Sequence, residues 1–126
     1  MPRFVILEHH HQGVHWDFML ESADSLRTWR LERPPAGADA TITATPLPDH
    51  RLDYLDYEGE VSGGRGTVSR WDRGDFEWIV DQPLVIEVRL VGQRVRGCAY
   101  LGADESGRWS FLLASVEPDR NDSATR

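Results

Sequence analysis

The chain has 126 residues, 21 acidic side chains against 14 basic ones and a formal charge of −7, with the 40% hydrophobic and 28% charged content of an ordinary globular domain. No apolar run approaches the ~18 residues of a membrane span, the Phe4–Leu7 stretch is too short for a secretory signal, and the single Cys98 excludes a disulfide framework or a multi-cysteine zinc site. All basic residues are arginine, and so acidic a chain does not hold nucleic acid through a broad positive field; any phosphate contact must come from a local arginine cluster or a metal ion.

Alternation dominates the pattern. In Val14-His15-Trp16-Asp17-Phe18-Met19-Leu20-Glu21, the residues Val14, Trp16, Phe18 and Leu20 share one parity, while His15, Asp17, Met19 and Glu21 share the other. A strand projects side chains with period two, so the first set is expected to face a core and the second the opposite side. Similar segments fall at Phe4–Leu7, Leu26–Leu31, Gly66–Trp71, Phe76–Val80, Leu84–Leu90, Arg94–Leu101 and Arg108–Ala114. Turn formers separate them: Asp72-Arg73-Gly74-Asp75, Val91-Gly92-Gln93 and Asp104-Glu105-Ser106-Gly107 read as hairpin connections. About eight short, mostly antiparallel strands predict an all-β fold, a compact closed or partly open barrel. Short helical turns are expected at Pro34–Ala40 or Asp49–Asp56. The domain is taken as 1–116, with a polar tail at 117–126. Trp16, Trp29, Trp71 and Trp109 are expected to pack the barrel, and Trp78 as well in preference to stacking on a base.

Four of the five histidines lie within seven positions: His9, His10, His11 and His15. His15 and Asp17, at i and i+2 of a strand, share a face, and His9 can fold over it from the preceding strand. Two imidazoles and a carboxylate form a facial set with open positions, suited to Mn²⁺, Fe²⁺ or Zn²⁺. His10 and His11 read as solvated loop residues.

Further residues carry a family resemblance. Phe4-Val5-Ile6-x-x-His9 followed by Val14-His15-Trp16-Asp17-Phe18-x-Leu20-Glu21 resembles the signature of the 3′-phosphoesterase domain of bacterial DNA ligase D. Trp29, Arg33-Pro34-Pro35, Asp49-His50-Arg51-Leu52-Asp53-Tyr54, Tyr57-Glu58-Gly59, Trp71-Asp72-Arg73-Gly74, Arg96-Gly97 and Trp109-Ser110-Phe111-Leu112 continue the match in order. It spans essentially the whole chain, so a free-standing form without polymerase or ligase modules is expected.

The resemblance implies a compact β-barrel and Mn²⁺-dependent trimming of DNA 3′ ends in end joining, with Zn²⁺ as another candidate ion. A terminal ribonucleoside leaves first, and the exposed 3′-phosphate is then hydrolysed. It places the metal ligands on His9, His15 and Asp17, an active-site histidine on His50 and a site tyrosine on Tyr54. Arg33 stands where the family has a lysine; it keeps the charge but grips phosphate as a fork rather than a point. The implied partners are the 3′ end of DNA or of an RNA-tipped primer, and a separate ligase or end-joining protein; a cytoplasmic monomer is expected.

This chain also departs from the pattern. The arginine two residues after the metal aspartate is Met19, a second family arginine falls near Ile42, and the acidic residue before the Asp-His pair is Pro48. Arg65 or Arg51 could supply a substitute charge. Two other readings follow: a catalytically weak or inactive metal-binding module for DNA ends, and an Fe(II)-dependent oxygenase with His15, Asp17 and His50 as ligands.

Overall fold

The computed structural model describes residues 1–36 and 41–115. Nine strands are present among them: β1 (Arg3–His10), β2 (Val14–Ser22), β3 (Ser25–Leu31), β4 (Thr41–Arg51), β5 (Gly59–Glu60), β6 (Thr67–Gln82), β7 (Val85–Gly92), β8 (Arg96–Ala103) and β9 (Trp109–Ser115). One 3₁₀ turn, Leu52–Leu55, joins β4 to the segment that leads into β5. Every pairing is antiparallel, in the order β1-β2-β3-β4-β9-β8-β7-β6, and β1 also pairs with β6, so eight strands form a ring with the short β5 appended to β6. The all-β class and the barrel-like closure match the sequence expectation.

Alternation explains why these residues make this ring. Phe4, Ile6, Phe18, Leu20, Trp29, Leu31, Phe76, Ile86, Val88, Leu90 and Phe111 turn inward to one cluster, with Trp16, Trp71, Trp78 and Trp109 packed against it. Trp78 meets Phe76 edge-on, so it belongs to the core. Val14, expected to face the core, is instead 37% exposed, because it lies at the strand end beyond the packed stretch.

The opposite parity builds a second cluster on the outside of the ring. Val5, Leu7, Met19, Leu26 and Val68 are covered there by Leu55 and Val61, with Leu52 and Tyr54 alongside. Strand β1 is thus buried on both faces, which accounts for its unbroken Phe4–Leu7 run. The outer cover places the 3₁₀ turn and the 61–66 loop over β1–β2–β3.

Two sequence expectations need correction. Asp72–Asp75 is not a hairpin turn but the middle of β6, pairing with β1 and at Gly74 and Asp75 with β7 as well. Its turn-like composition has other causes. A Cβ at Gly74 would overlap the Val91 carbonyl oxygen, and Asp72 serves a different turn. Its buried carboxylate accepts backbone N–H groups from Arg73, Gln93, Arg94 and Val95 and so ties down the β7–β8 connection. Strand β4 has no counterpart among the expected segments; its Pro46 and Pro48 disguise an eleven-residue strand, whose end takes in the first residues of the helical turn expected at Asp49–Asp56. Beyond Ala44 it pairs only with β3, so missing N–H groups are tolerated on its free side. The helical turn expected within Asp49–Asp56 is the shorter Leu52–Leu55. The expected tail at 117–126, the domain limit at 116 and the 37–40 part of the Pro34–Ala40 turn lie outside the described residues.

Candidate active site

Outward-facing parity brings the chemistry together. Leu7 pairs with Asp17, His9 with His15 and Val5 with Met19 across β1–β2, while Asp17 pairs with Arg30 and Met19 with Thr28 across β2–β3. Above this patch lies a cleft of about 530 Å³, whose lining includes His9, His11, Asp17, Met19, Arg30, His50, Arg51, Tyr54 and Arg65.

His9 and Asp17 form its buried centre, 8% and 3% exposed, with His9 Nδ1 3.3 Å from Asp17 Oδ2. The other ring nitrogen, His9 Nε2, lies 2.8 Å from the Arg65 carbonyl oxygen. A carbonyl only accepts, so Nε2 carries a hydrogen and Nδ1 is the ring atom that faces the carboxylate. A lone pair turned toward a carboxylate oxygen is favourable only when a proton or a cation shares the space. His9 Nδ1 and His15 Nδ1 are both buried without a hydrogen-bond partner. In donor type, two orphaned imidazole nitrogens and a buried carboxylate suit a divalent transition ion, and the Arg65 carbonyl fixes the orientation of the His9 ring. Among the described residues, no three such side chains are gathered into a finished metal set.

At the far wall, His50 is the penultimate residue of β4, which ends at Arg51 and leads into the 3₁₀ turn carrying Tyr54. His50 Nδ1 donates to the Pro48 carbonyl at 2.9 Å, which leaves Nε2 as the atom that takes up or gives a proton. The Tyr54 ring meets His50 edge-on at 5.6 Å and Tyr57 at 5.8 Å, so the three rings form a continuous row of which His50 and Tyr54 line the cleft.

His15 stands opposite His9 in register but does not line the cleft. Arg33 also lies outside the lining; its Nη2 donates to the Thr41 carbonyl at 2.7 Å. Met19, 1% exposed, forms part of the apolar floor, Ile42 turns into the ring interior, and Pro48 lines the cleft. His10 is exposed and pairs with Glu8 at 2.7 Å. His11, expected as a solvated loop residue, instead lines the cleft and stacks on His9 at 5.9 Å.

Sequence reading passed over Arg30 altogether. Its Nε lies 3.4 Å from Asp17 Oδ1, and it lines the cleft with Arg51 and Arg65. The signal was present: Ser22 pairs with Ser25 across a two-residue loop, and counting back from that turn sets Arg30 against Asp17. Three arginines against the two carboxylates of Asp17 and Asp49 make the cleft locally basic in a chain of net charge −7.

Residues 7–102 match the family model described as the DNA ligase D 3′-phosphoesterase domain. The chain belongs to this family. It is 35% identical over 114 residues to the multifunctional non-homologous end joining DNA repair protein LigD of Mycobacterium tuberculosis, a match covering 84% of this chain and 15% of that protein. With the LigD of Pseudomonas aeruginosa it shares 36% identity over 118 residues, 90% of this chain and 14% of the relative. The chain thus spans about a seventh of the length of these curated relatives. Family membership accounts for the ordered motifs outside the histidine cluster, which the oxygenase reading leaves aside. Among the described residues, no helix is long and apolar enough to cross a membrane.

Proposed function

We propose that this chain is a divalent-metal-dependent 3′-phosphoesterase that trims nucleic-acid 3′ ends during end joining. The observation that carries this reading is the locally basic cleft built on the buried His9–Asp17 pair, in a chain otherwise too acidic to hold phosphate. His9, His15 and Asp17 would hold the ion, with Mn²⁺ the first candidate and Zn²⁺ the second. When bound, the ion supplies Lewis-acid polarisation of the phosphoryl oxygens.

The protein's own groups provide positioning and proton transfer. Phosphoryl transfer spreads charge over the non-bridging oxygens, and cleft arginines match that charge. In the first reaction water attacks phosphorus and the bond to the 5′-oxygen of the terminal ribonucleoside breaks, leaving a 3′-phosphate. In the second reaction the bond between phosphorus and the 3′-oxygen breaks, leaving a 3′-hydroxyl. In both, protonated His50 gives its Nε2 hydrogen to the departing oxygen. Tyr54 holds the phosphate through its hydroxyl beside His50. Arg33 is assigned a phosphate contact only if the substrate reaches beyond the cleft, since its guanidinium is bonded to Thr41. The end product, a 3′-hydroxyl, is the form a DNA ligase requires.

Met19 favours a second reading, a DNA-end-binding module that turns over poorly, because its buried thioether puts no charge on the cleft floor. Hydrolysis of a primer–template bearing one 3′-terminal ribonucleotide separates the two. Mn²⁺-dependent shortening that is lost in His15→Ala and in His50→Ala supports the esterase. No product, with Mn²⁺ and primer still bound, leaves the binding module.

A further inference from the structure

We propose that Arg30 is the phosphate clamp of this cleft. The inference rests on the esterase reading in that it assigns the bound group, a terminal phosphate, to the same site. Its support is geometric. Arg30 is the penultimate residue of β3, paired on one side with Asp17 of β2 and on the other with Thr45 of β4, so its backbone is held by two neighbours. Its side chain is one-third exposed and opens into the cleft. Nε approaches Asp17 Oδ1, while Nη1 and Nη2 have no hydrogen-bond partner among the described residues. A guanidinium is planar, so the edge bearing the two Nη atoms remains available to take two phosphate oxygens at once.

The other cleft arginines are arranged differently. Arg65 is folded back onto its own loop, with Nε donating to the Ser62 carbonyl at 2.8 Å and Nη2 to Ser62 Oγ at 3.3 Å. Arg51 closes β4 at the rim, opposite Ser25. Only Arg30 joins a rigid strand position, an open guanidinium edge and contact with the buried carboxylate. Its position also answers the departure at Met19. The charge absent from β2 is supplied from the adjacent strand, one register step away, since Met19 faces Thr28 and Asp17 faces Arg30.

A binding experiment tests this without turnover. Dye-labelled primers ending in a 3′-phosphate or a 3′-hydroxyl are titrated in EDTA with wild type, Arg30→Ala, Arg30→Gln, Arg30→Lys, Arg51→Ala and Arg65→Ala. Wild type is expected to prefer the 3′-phosphate about tenfold, equivalent to about 1.4 kcal/mol. Arg30→Ala and Arg30→Gln lose that preference, Arg30→Lys keeps part of it, and the Arg51 and Arg65 variants keep most. Mn²⁺ affinity, read by electron paramagnetic resonance, stays the same or tightens in Arg30→Gln, because a positive charge beside Asp17 has been removed. The proposal is overturned if the Arg30 variants retain the preference, if wild type has none, or if Arg30→Gln loses Mn²⁺ binding while keeping the preference, which marks Arg30 as support for Asp17 alone. A preference that depends on Arg30, in a protein showing no Mn²⁺-dependent hydrolysis, upholds the clamp while refuting the esterase.

Discussion

Replacing Asp72 tests how the ring closes. Its Oδ1 accepts from the backbone N–H groups of Arg73 at 2.8 Å, Gln93 at 2.8 Å and Arg94 at 3.1 Å, and Oδ2 accepts from Val95 N–H at 2.8 Å. Asp72→Ala removes both acceptor oxygens and with them all four hydrogen bonds. The three part-buried donors can recover water, each at a net loss of ~1 kcal/mol, whereas the buried Val95 N–H loses closer to ~2 kcal/mol. We therefore expect a loss of about 5 kcal/mol, partly offset if the β7–β8 turn opens to solvent. Asp72→Asn keeps Oδ1 for its three donors but sets an amide N–H₂ against Val95 N–H, for a loss of about 2 kcal/mol. Urea denaturation followed by circular dichroism measures both, with the slope of the transition as a check that unfolding remains two-state. An alanine variant within 1 kcal/mol of wild type, or an asparagine variant as unstable as alanine, would refute the assignment of Asp72 as the anchor of that turn.

Three further outcomes are expected. Met19→Ala should cost ~2–4 kcal/mol in the same denaturation assay, since a 1%-exposed side chain leaves a cavity in the outer cluster. Gly66→Ala should destabilise by ~2–4 kcal/mol, because φ is +81° and a Cβ would overlap the His10 carbonyl oxygen; the same change should disturb the His9 Nε2–H tautomer, read by ¹⁵N NMR. The third concerns acid. The hydrogen bond from the Arg3 guanidinium holds the Asp56 carboxyl below the usual carboxylate range. A lowered folded pKa contributes stability above the unfolded value, and that contribution disappears as pH falls through the folded value. Thermal unfolding should therefore show a decline below about pH 4 that is shallower in Asp56→Asn, and the effect should be small and salt-sensitive for so exposed a pair.

The family and the candidate site were legible to different depths. Alternation in β2 correctly separated Phe18 and Leu20 from Asp17 and Met19, because side-chain direction along a strand is a local property. It could not reveal that the outward set is itself buried, since the cover comes from the 3₁₀ turn more than thirty residues later. Asp72–Asp75 misled for a related reason: Gly74 and Asp72 answer to β7 and the β7–β8 turn, about twenty residues away, rather than to each other. His11 was passed over because stacking on His9 depends on how the β1–β2 connection folds.

Taken alone, the sequence determined the all-β class, the inward and outward faces of β2, the placement of His15 and Asp17 on one face of that strand, and the need for a local arginine cluster if phosphate is to be held. Periodicity, spacing and charge are written along one dimension, so they survive without knowledge of the fold. Tertiary structure decided which arginines enter the cleft and which ring nitrogen of His9 carries the hydrogen. It placed Arg30, Arg51 and Arg65 around Asp17 and His50, and left Arg33 bonded to Thr41. Those choices depend on cross-strand register and on a carbonyl from a distant loop, and neither exists until the ring has closed.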